Sequence, residues 1–408
     1  MIPYGCQSID EDDIAAVADV LRGDFLTGGP AVDRFEAALA AAVDSPYAVA
    51  CANGTAALHL GMLALGIGPG TTVVVPSLTF LASANAVRYV GAEVRFADVD
   101  PDTGLLTPET LAAAVEQGGS ASVHAAVAVH LNGRCVDLDG IAQVNKLYGL
   151  KLVEDACHAV GGAGMVAGRR EMVGSCPVSD LACFSFHPVK TIAMGEGGAV
   201  TTRSREIAER VRLLRNHGMT RDPDTFLDLD EGFDAHGAAN PWYYEMHEPG
   251  FNYRATDIHC ALGESQLRKL PAFLARRRAL AARYDRLLAG LAPAVVPVAR
   301  VAEDDGWHLY SVLIDFAGLG RSRADVMRGL RDRGIGTQVH YFPVHRQPYY
   351  SRRYGTLRLP GADAYYRRQL SLPLHLRMAE EDVDRVVAAL ADVLGLAGGV
   401  ASSRADVA

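Results

Sequence analysis

Lys190 is the residue best placed to do chemistry in this chain. It follows Phe184-Ser185-Phe186-His187-Pro188-Val189 and leads into Gly195-Glu196-Gly197-Gly198. Residues 181–186 alternate large and small side chains, which predicts a short strand. Pro188 ends that strand, Lys190 falls in a turn, and Ala199-Val200-Thr201-Thr202 predicts another strand. An amine on a loop at a strand end can form a Schiff base with an aldehyde cofactor. Ser185 can offer its hydroxyl to that cofactor's phosphate. The same residues also suit a surface lysine between two ordinary strands, so the rest of the chain must decide.

Pyridoxal phosphate (PLP) as that aldehyde needs an acid beside its pyridine nitrogen, because the protonated ring is the electron sink. Lys151-Leu152-Val153-Glu154-Asp155-Ala156-Cys157-His158 supplies Asp155. Residues 150–153 read as a buried strand, and α/β sheets place ligand-binding groups at carboxyl ends such as this one. Helix N-capping is the other use of an Asp here. Glu154 should face away, since strand side chains alternate. The phosphate needs a cradle. Asn53-Gly54-Thr55 lies between an apolar run and a helix marked by Leu58, Met62 and Leu65. Free N–H groups at a helix start bind phosphate, and Gly54 lets the backbone come close. Thr55 adds a hydroxyl, although plain capping by Asn53 or Thr55 fits equally. Phe80, after Val73-Val74-Val75-Pro76-Ser77-Leu78-Thr79, can stack on the ring or fill the core.

In this order, Gly-Thr, aromatic, Asp, Ser and Lys resemble fold-type-I aminotransferases. Leu26-Thr27-Gly28-Gly29-Pro30, Asn53-Gly54-Thr55-Ala56-Ala57-Leu58, Pro76-Ser77-Leu78-Thr79-Phe80, Glu154-Asp155-Ala156-Cys157-His158-Ala159 and Gly250-Phe251-Asn252-Tyr253-Arg254 resemble the DegT/DnrJ/EryC1/StrS nucleotide-sugar aminotransferases. The resemblance runs from Ile2 to about Leu394. Ile2-Pro3-Tyr4-Gly5, Asp24-Phe25-Leu26-Thr27, Phe186-His187-Pro188-Val189-Lys190-Thr191, Arg215-Asn216-His217-Gly218-Met219-Thr220-Arg221, Pro241-Trp242-Tyr243-Tyr244-Glu245 and Val339-His340-Tyr341-Phe342-Pro343-Val344-His345 agree with one subgroup. That subgroup makes UDP-4-amino-4,6-dideoxy-N-acetyl-β-L-altrosamine for pseudaminic acid. Asn53-Gly54-Thr55 departs from the Ser-Ala-Thr of some of its members but keeps a phosphate-binding turn.

The resemblance implies an α/β fold: a large domain on a mainly parallel sheet, then a smaller α+β domain. It implies PLP, cycling with its amine form PMP, and transfer of the amino group of L-glutamate to a UDP-4-keto-6-deoxy amino sugar. 2-Oxoglutarate is the by-product. Lys190 becomes the cofactor lysine and proton carrier, and Asp155 the partner of the ring nitrogen. Ser185, Gly54 and Thr55 hold phosphate, Phe80 covers the ring, and His158 meets the ring oxygen. Asn252 reaches the cofactor phosphate of the partner subunit, so a homodimer would share its sites. Arg254 is implied for the glutamate carboxylate. Tyr4, Asp24, Phe25, Leu26, Thr27, Ala56, His340 and Tyr341 are implied for the sugar nucleotide. Each of these has an ordinary reading too: a helix cap for Asn252, a surface ion pair for Arg254, a structural histidine for His158. Rival functions are amination of a bacillosamine-, legionaminic- or perosamine-type sugar, and a non-catalytic PLP-binding regulator. The dehydratase branch carries His where Lys190 stands.

The chain's 408 residues allow two domains and a large core. Its 39 Lys and Arg against 48 Asp and Glu give a net charge of −9, and no basic block invites nucleic acid. The Cys count of 7 is odd and no C-x-x-C pair occurs, which suggests reduced thiols in a cytoplasm and no zinc site. The polar start is no signal peptide, and no apolar run is long enough to span a bilayer. Strands are expected near 49–51, 72–75, 93–97, 124–130, 150–153 and 181–186. Ser8 and Glu11 fit a capping box before a helix with Ile14, Val17, Ala18 and Leu21 on one face, and Gly23 suits its end. Residues 220–248 read as a long loop. Thr256 should cap a helix carrying Ile258, Ala261 and Leu262, with a separate Arg-rich helix near 276–291. A last helix shows Val383, Val386, Val387 and Leu390 on one face. The expected domains are 1–255 and 256–396, with 397–408 a disordered tail.

Overall fold

The structure, a computed structural model, describes residues 1–117, 123–300 and 304–396. The expected tail lies outside these residues. The central sheet is built from β1 (Tyr47–Cys51), β2 (Thr72–Pro76), β3 (Glu93–Ala97), β4 (Ala125–Val129) and β5 (Lys151–Asp155). A hairpin of β6 (Ala163–Val166) and β7 (Arg169–Met172) intervenes before β8 (Leu181–Ser185) and β9 (Gly198–Thr202) complete it. The strand order is β1-β9-β8-β5-β4-β2-β3. β3, β2, β4, β5 and β8 run parallel, and β9 is antiparallel to both its neighbours. Helices cover both faces, so strands such as β4 are buried end to end. The chain turns from β3 back past β2 to β4, and such a switch point opens a crevice at the strands' carboxyl ends. Phe80, Asp155 and Ser185 all sit along that edge.

The first helix, Glu11–Arg22, departs from expectation. Its cap is Asp10, whose carboxylate accepts from Asp13 N–H at 3.2 Å, while Asp13 accepts from Asp10 N–H at 3.1 Å. This reciprocal pair displaces the Ser8–Glu11 box. The expected apolar face also points outward: Ile14 is 53% and Leu21 57% exposed. Asp13 is buried instead, bonded by Gln266 at 2.7 Å and paired with Lys269 at 2.8 Å. A desolvated carboxylate must keep its partners, so the polar anchor sets the helix rotation. Gly23 ends the helix as expected.

One helix, Asp257–Leu288, replaces the two expected over 256–291. Thr256 caps it by accepting from His259 N–H at 3.2 Å. Pro271 lies inside it. Cys260, Leu267, Leu270 and Leu274 belong to the larger core, while Leu280, Tyr284 and Leu288 belong to the smaller. Burial on two cores offsets the roughly 3 kcal/mol that an interior proline costs. Around the smaller core stand an antiparallel sheet (Val295–Pro297, Tyr310–Ile314, Gln369–Leu372) and the last helix, Glu380–Leu394. Val383, Val386, Val387 and Leu390 are buried there, as the spacing predicts.

Residues 220–248 are more ordered than a plain loop. Met219–Thr220 pairs with Glu245–Met246. Glu245 accepts from the N–H groups of Leu227 at 2.9 Å and Asp228 at 2.8 Å, and from Tyr243 Oη at 3.0 Å. Among the described residues, no helix is long and apolar enough to cross a membrane.

Candidate active site

A cavity of about 580 Å³ opens at the carboxyl edge of β2, β4, β5 and β8. Asp155 ends β5 and is buried. Ser83 Oγ donates to its Oδ2 at 2.6 Å, Cys157 N–H donates to Oδ1 at 3.2 Å, and Thr79 Oγ1 lies 2.7 Å from Ser83 Oγ. These bonds aim the carboxylate into the cavity, and it caps no helix. Glu154 faces the other way, as expected, with His130 Nε2 at 2.9 Å and Ser179 Oγ as partners.

Lys190 stands in a turn closed by its own N–H donating to His187 O at 2.8 Å. Burial pushes its ammonium below the usual lysine value, against the opposing pull of Cys157 and Asp155. Ser185 ends β8 and faces the start of the helix Gly54–Ala64. A Cβ on Gly54 would lie 2.7 Å from Ser185 Cβ and 3.2 Å from its Oγ, so only glycine permits this approach. Asn53 caps that helix by accepting from Ala56 N–H at 2.8 Å. The first N–H groups of a helix have no backbone partner within it; Asn53 takes that of Ala56, and Gly54, Thr55 and Ser185 line the same cavity. Gly54→Ala should weaken PLP binding about tenfold or more, from an overpacking cost of about 1–3 kcal/mol. Equilibrium dialysis of the variant against PLP measures it.

Phe80 is 55% exposed, which rules out the core reading, and its ring lies 5.9 Å from that of Tyr341. His158 accepts at Nδ1 from Asn132 N–H at 3.2 Å, and its Nε2 is 3.1 Å from Tyr341 Oη. Burial, then Lys190, then His340 hold its pKa well below the ordinary value, so the ring is neutral. Tyr4 and His340 face each other at 5.7 Å.

Lys190, Asp155, Ser185, Gly54, Thr55, Phe80, His158, Tyr4, His340 and Tyr341 therefore line one cavity. Other expected residues lie outside it. Asp24 and Phe25 border a shallow groove with Asp257 and Arg268. Leu26 O accepts from Asp257 N–H at 3.0 Å, and Thr27 pairs with Thr256. Ala56 is buried within its helix. Asn252 pairs with Asn216, and Arg254 bonds the Asn216 side chain, so neither reaches the cavity of its own subunit. Sequence reasoning missed His308, Gln338 and Glu196. Glu196 was within reach, directly before the Gly pair that follows Lys190. Gln338 directly precedes the Val339–His345 run, two residues before His340, whereas His308 comes from a distant segment with no spacing cue.

The residues present fit PLP. A carboxylate with both oxygens hydrogen-bonded, an amine, an open aromatic ring and a glycine-lined helix start surround one space. Among the described lining residues Lys190 is the only Lys or Arg. The sequence profile of the DegT/DnrJ/EryC1/StrS aminotransferase family matches residues 7–391. The spore coat polysaccharide biosynthesis protein SpsC of Bacillus subtilis is 37% identical over 399 residues, which is 96% of this chain and 97% of SpsC. Helicobacter pylori PseC, an aminotransferase involved in the biosynthesis of pseudoaminic acid, superposes with a TM-score of 0.85 at 27% identity, covering 97% of this chain and 99% of that one. Spr1654 of Streptococcus pneumoniae in its PLP form gives a TM-score of 0.83 at 27% identity over 97% of this chain and 98% of that one. By sequence and by fold, the chain belongs to the DegT/DnrJ/EryC1/StrS aminotransferase family and is a PLP-dependent transaminase.

Proposed function

We propose that the enzyme moves the amino group of L-glutamate to C4 of a UDP-2-acetamido-2,6-dideoxy-4-keto-hexose. The product is UDP-4-amino-4,6-dideoxy-N-acetyl-β-L-altrosamine, on the way to pseudaminic acid. The observation that carries this reading is the meeting of Lys190 and Asp155 in a cavity that Tyr4, His340 and Tyr341 line from the other side. The likeness to PseC and the subgroup motifs support the sugar.

PLP, when bound, supplies a carbonyl for amines and a ring that takes up electrons from the substrate carbon. Asp155 holds the proton on its ring nitrogen, with Ser83 and the Cys157 N–H fixing the carboxylate. Ser185, Thr55 and the helix start at Gly54 hold the phosphate, and Phe80 covers one ring face. His158 is neutral, with both nitrogens paired to Asn132 N–H and Tyr341 Oη, so it would meet the ring oxygen only by exchanging the Tyr341 bond. Lys190 takes a proton from the α-carbon of glutamate and, in the second half, delivers one to C4 of the sugar. A depressed pKa suits both directions of transfer.

We read the enzyme as a homodimer with shared sites. A diphosphate and the carboxylates of glutamate call for cations, and the described lining residues offer only Lys190. Arg254 and Asn252 stand ready outside their own cavity, and Ile14, Leu21, Phe25, Leu26 and Trp242 leave apolar surface open. The domain division at 255/256 is part of the same reading, with the first half of the long helix docked on the large core. So is a cytoplasmic setting, which the free cysteines suit.

SpsC is more alike in sequence than PseC, which favours a second reading: another 4-keto nucleotide sugar, of bacillosamine, legionaminic or perosamine type. The deciding assay offers enzyme, PLP and L-glutamate the L-arabino and D-xylo forms of UDP-2-acetamido-4-keto-6-deoxy sugar. Products are followed by mass spectrometry and NMR. Amination of the L-arabino form is expected. Preference for the D-xylo form selects the second reading in its bacillosamine or legionaminic form, and rejection of both would sink the first reading and leave the aminotransferase with another sugar.

A further inference from the structure

We propose that Gln369 is a positioning residue that makes His340 a hydrogen-bond donor to the sugar. It acts through Ser371, which holds the imidazole with its proton on Nε2, facing the cavity. The proposal rests on the sugar reading above.

The protons can be placed one by one. His340 N–H donates to Gln369 Oε1 at 3.0 Å, which orients the amide. The two hydrogens of Gln369 Nε2 then go to Ser311 Oγ at 3.1 Å and Ser371 Oγ at 2.7 Å. Asn132 Nδ2 donates to Ser311 Oγ at 3.3 Å. Ser311 thus accepts twice and gives its own hydrogen to Ser371, 3.0 Å away. Ser371 now also accepts twice, so its hydrogen goes to the atom left, His340 Nδ1 at 2.8 Å. A hydroxyl has one hydrogen and two acceptor sites, so with the Asn132 amide donating to Ser311 Oγ and Tyr365 Oη, no other arrangement satisfies both serines. Nδ1 is therefore bare. Burial keeps the ring uncharged, and a neutral imidazole with bare Nδ1 carries its proton on Nε2. Nothing among the described residues bonds that Nε2, and His340 lines the cavity.

All the members are buried: Gln369, Ser371, Ser311, Asn132 and His340. An unpaired group in a buried polar network is costly, and of this network's buried acceptors only Asn132 Oδ1 lacks a partner among the described residues. Asn132 sets the second imidazole too, since its N–H occupies Nδ1 of His158 and leaves Nε2–H toward Tyr341. His340 alone thus turns an N–H donor to the cavity without adding charge, since the His158 N–H is taken by Tyr341 Oη. Such a donor recognises an acceptor oxygen, which the keto sugar carries.

Gln369→Glu tests the relay. The carboxylate would accept from both serines, and Ser371 would then accept a hydrogen from His340 Nδ1. Histidine ¹⁵N spectra of the holoenzyme, with His340 assigned by signals lost in His340→Gln, should show Nδ1 bare in the parent and protonated in Gln369→Glu. KM for the keto sugar should rise about tenfold, the scale of one lost hydrogen bond, with the glutamate half-reaction unchanged. Ser371→Ala should raise KM likewise, and it stands in should Gln369→Glu fail to fold. A proton on Nδ1 in the parent, or an unchanged KM in either folded variant, would overturn the proposal. Should neither sugar be accepted, the spectra decide the relay separately from the substrate.

Discussion

Lys190→Ala is expected to lower turnover by about 10⁴-fold or more, the scale of losing a positioned proton carrier that is also a nucleophile. 2-Oxoglutarate release from L-glutamate and amination of the keto sugar should fall together, because one amine serves both halves. Lys190→Arg should be as inactive. Arginine keeps a cation but stays protonated, so it accepts no proton from carbon. Loss of folding does not explain the expected result. The folded pKa of Lys190 lies below its unfolded value, so folding disfavours its protonated form. That penalty is present below the folded value and fades as pH rises through the unfolded one. Removing the group lifts it, and the cofactor-free alanine variant should melt no lower than the cofactor-free parent at pH 7. Persistent turnover in a folded Lys190→Ala protein would refute the catalytic role.

The sequence made the sheet and the strand-end chemistry readable for a physical reason. Ser185, Asp155 and Phe80 each end or follow a short apolar run, and the strand period places them at the same edge. Glu93–Ala97 was located at both ends because its alternation is clear. Residues set by distant partners were not readable. The first helix shows an apolar stripe through Ile14 and Leu21, yet Asp13 turns inward because Lys269 and Gln266 await it. Pro271 argues locally for a helix end, and packing on two cores overrides it. Gln369 and Ser371 look like stray polar residues in an apolar strand. Their meaning depends on Ser311, Asn132 and His340, which only the fold brings together. The same limit separates Asn252 and Arg254 from the cavity: their motif was visible, but no spacing tells that they lie outside the cavity of their own chain.

Asp155→Asn is expected to lower turnover about 10³-fold while the protein keeps its cofactor. The amide has the carboxylate's shape, so its oxygen can still accept from Cys157 N–H while its NH2 donates to Ser83 Oγ, with that bond reversed. It has no charge to hold a proton on the ring nitrogen, and that charge is the contribution claimed for Asp155. Cofactor affinity rests on the other side of the cavity, on Ser185, Thr55 and the Gly54 turn, and should change little. Retained PLP absorbance with slow turnover is thus the signature, distinct from Gly54→Ala, where cofactor binding itself is weakened. Ser83→Ala extends the argument. It removes the 2.6 Å bond that aims the carboxylate but leaves the charge in place. Losing one orienting hydrogen bond costs about 1 kcal/mol, a several-fold effect, so this variant should fall well short of Asp155→Asn. Two variants of equal activity would mean that orientation matters and charge does not, and the role given to Asp155 would fail.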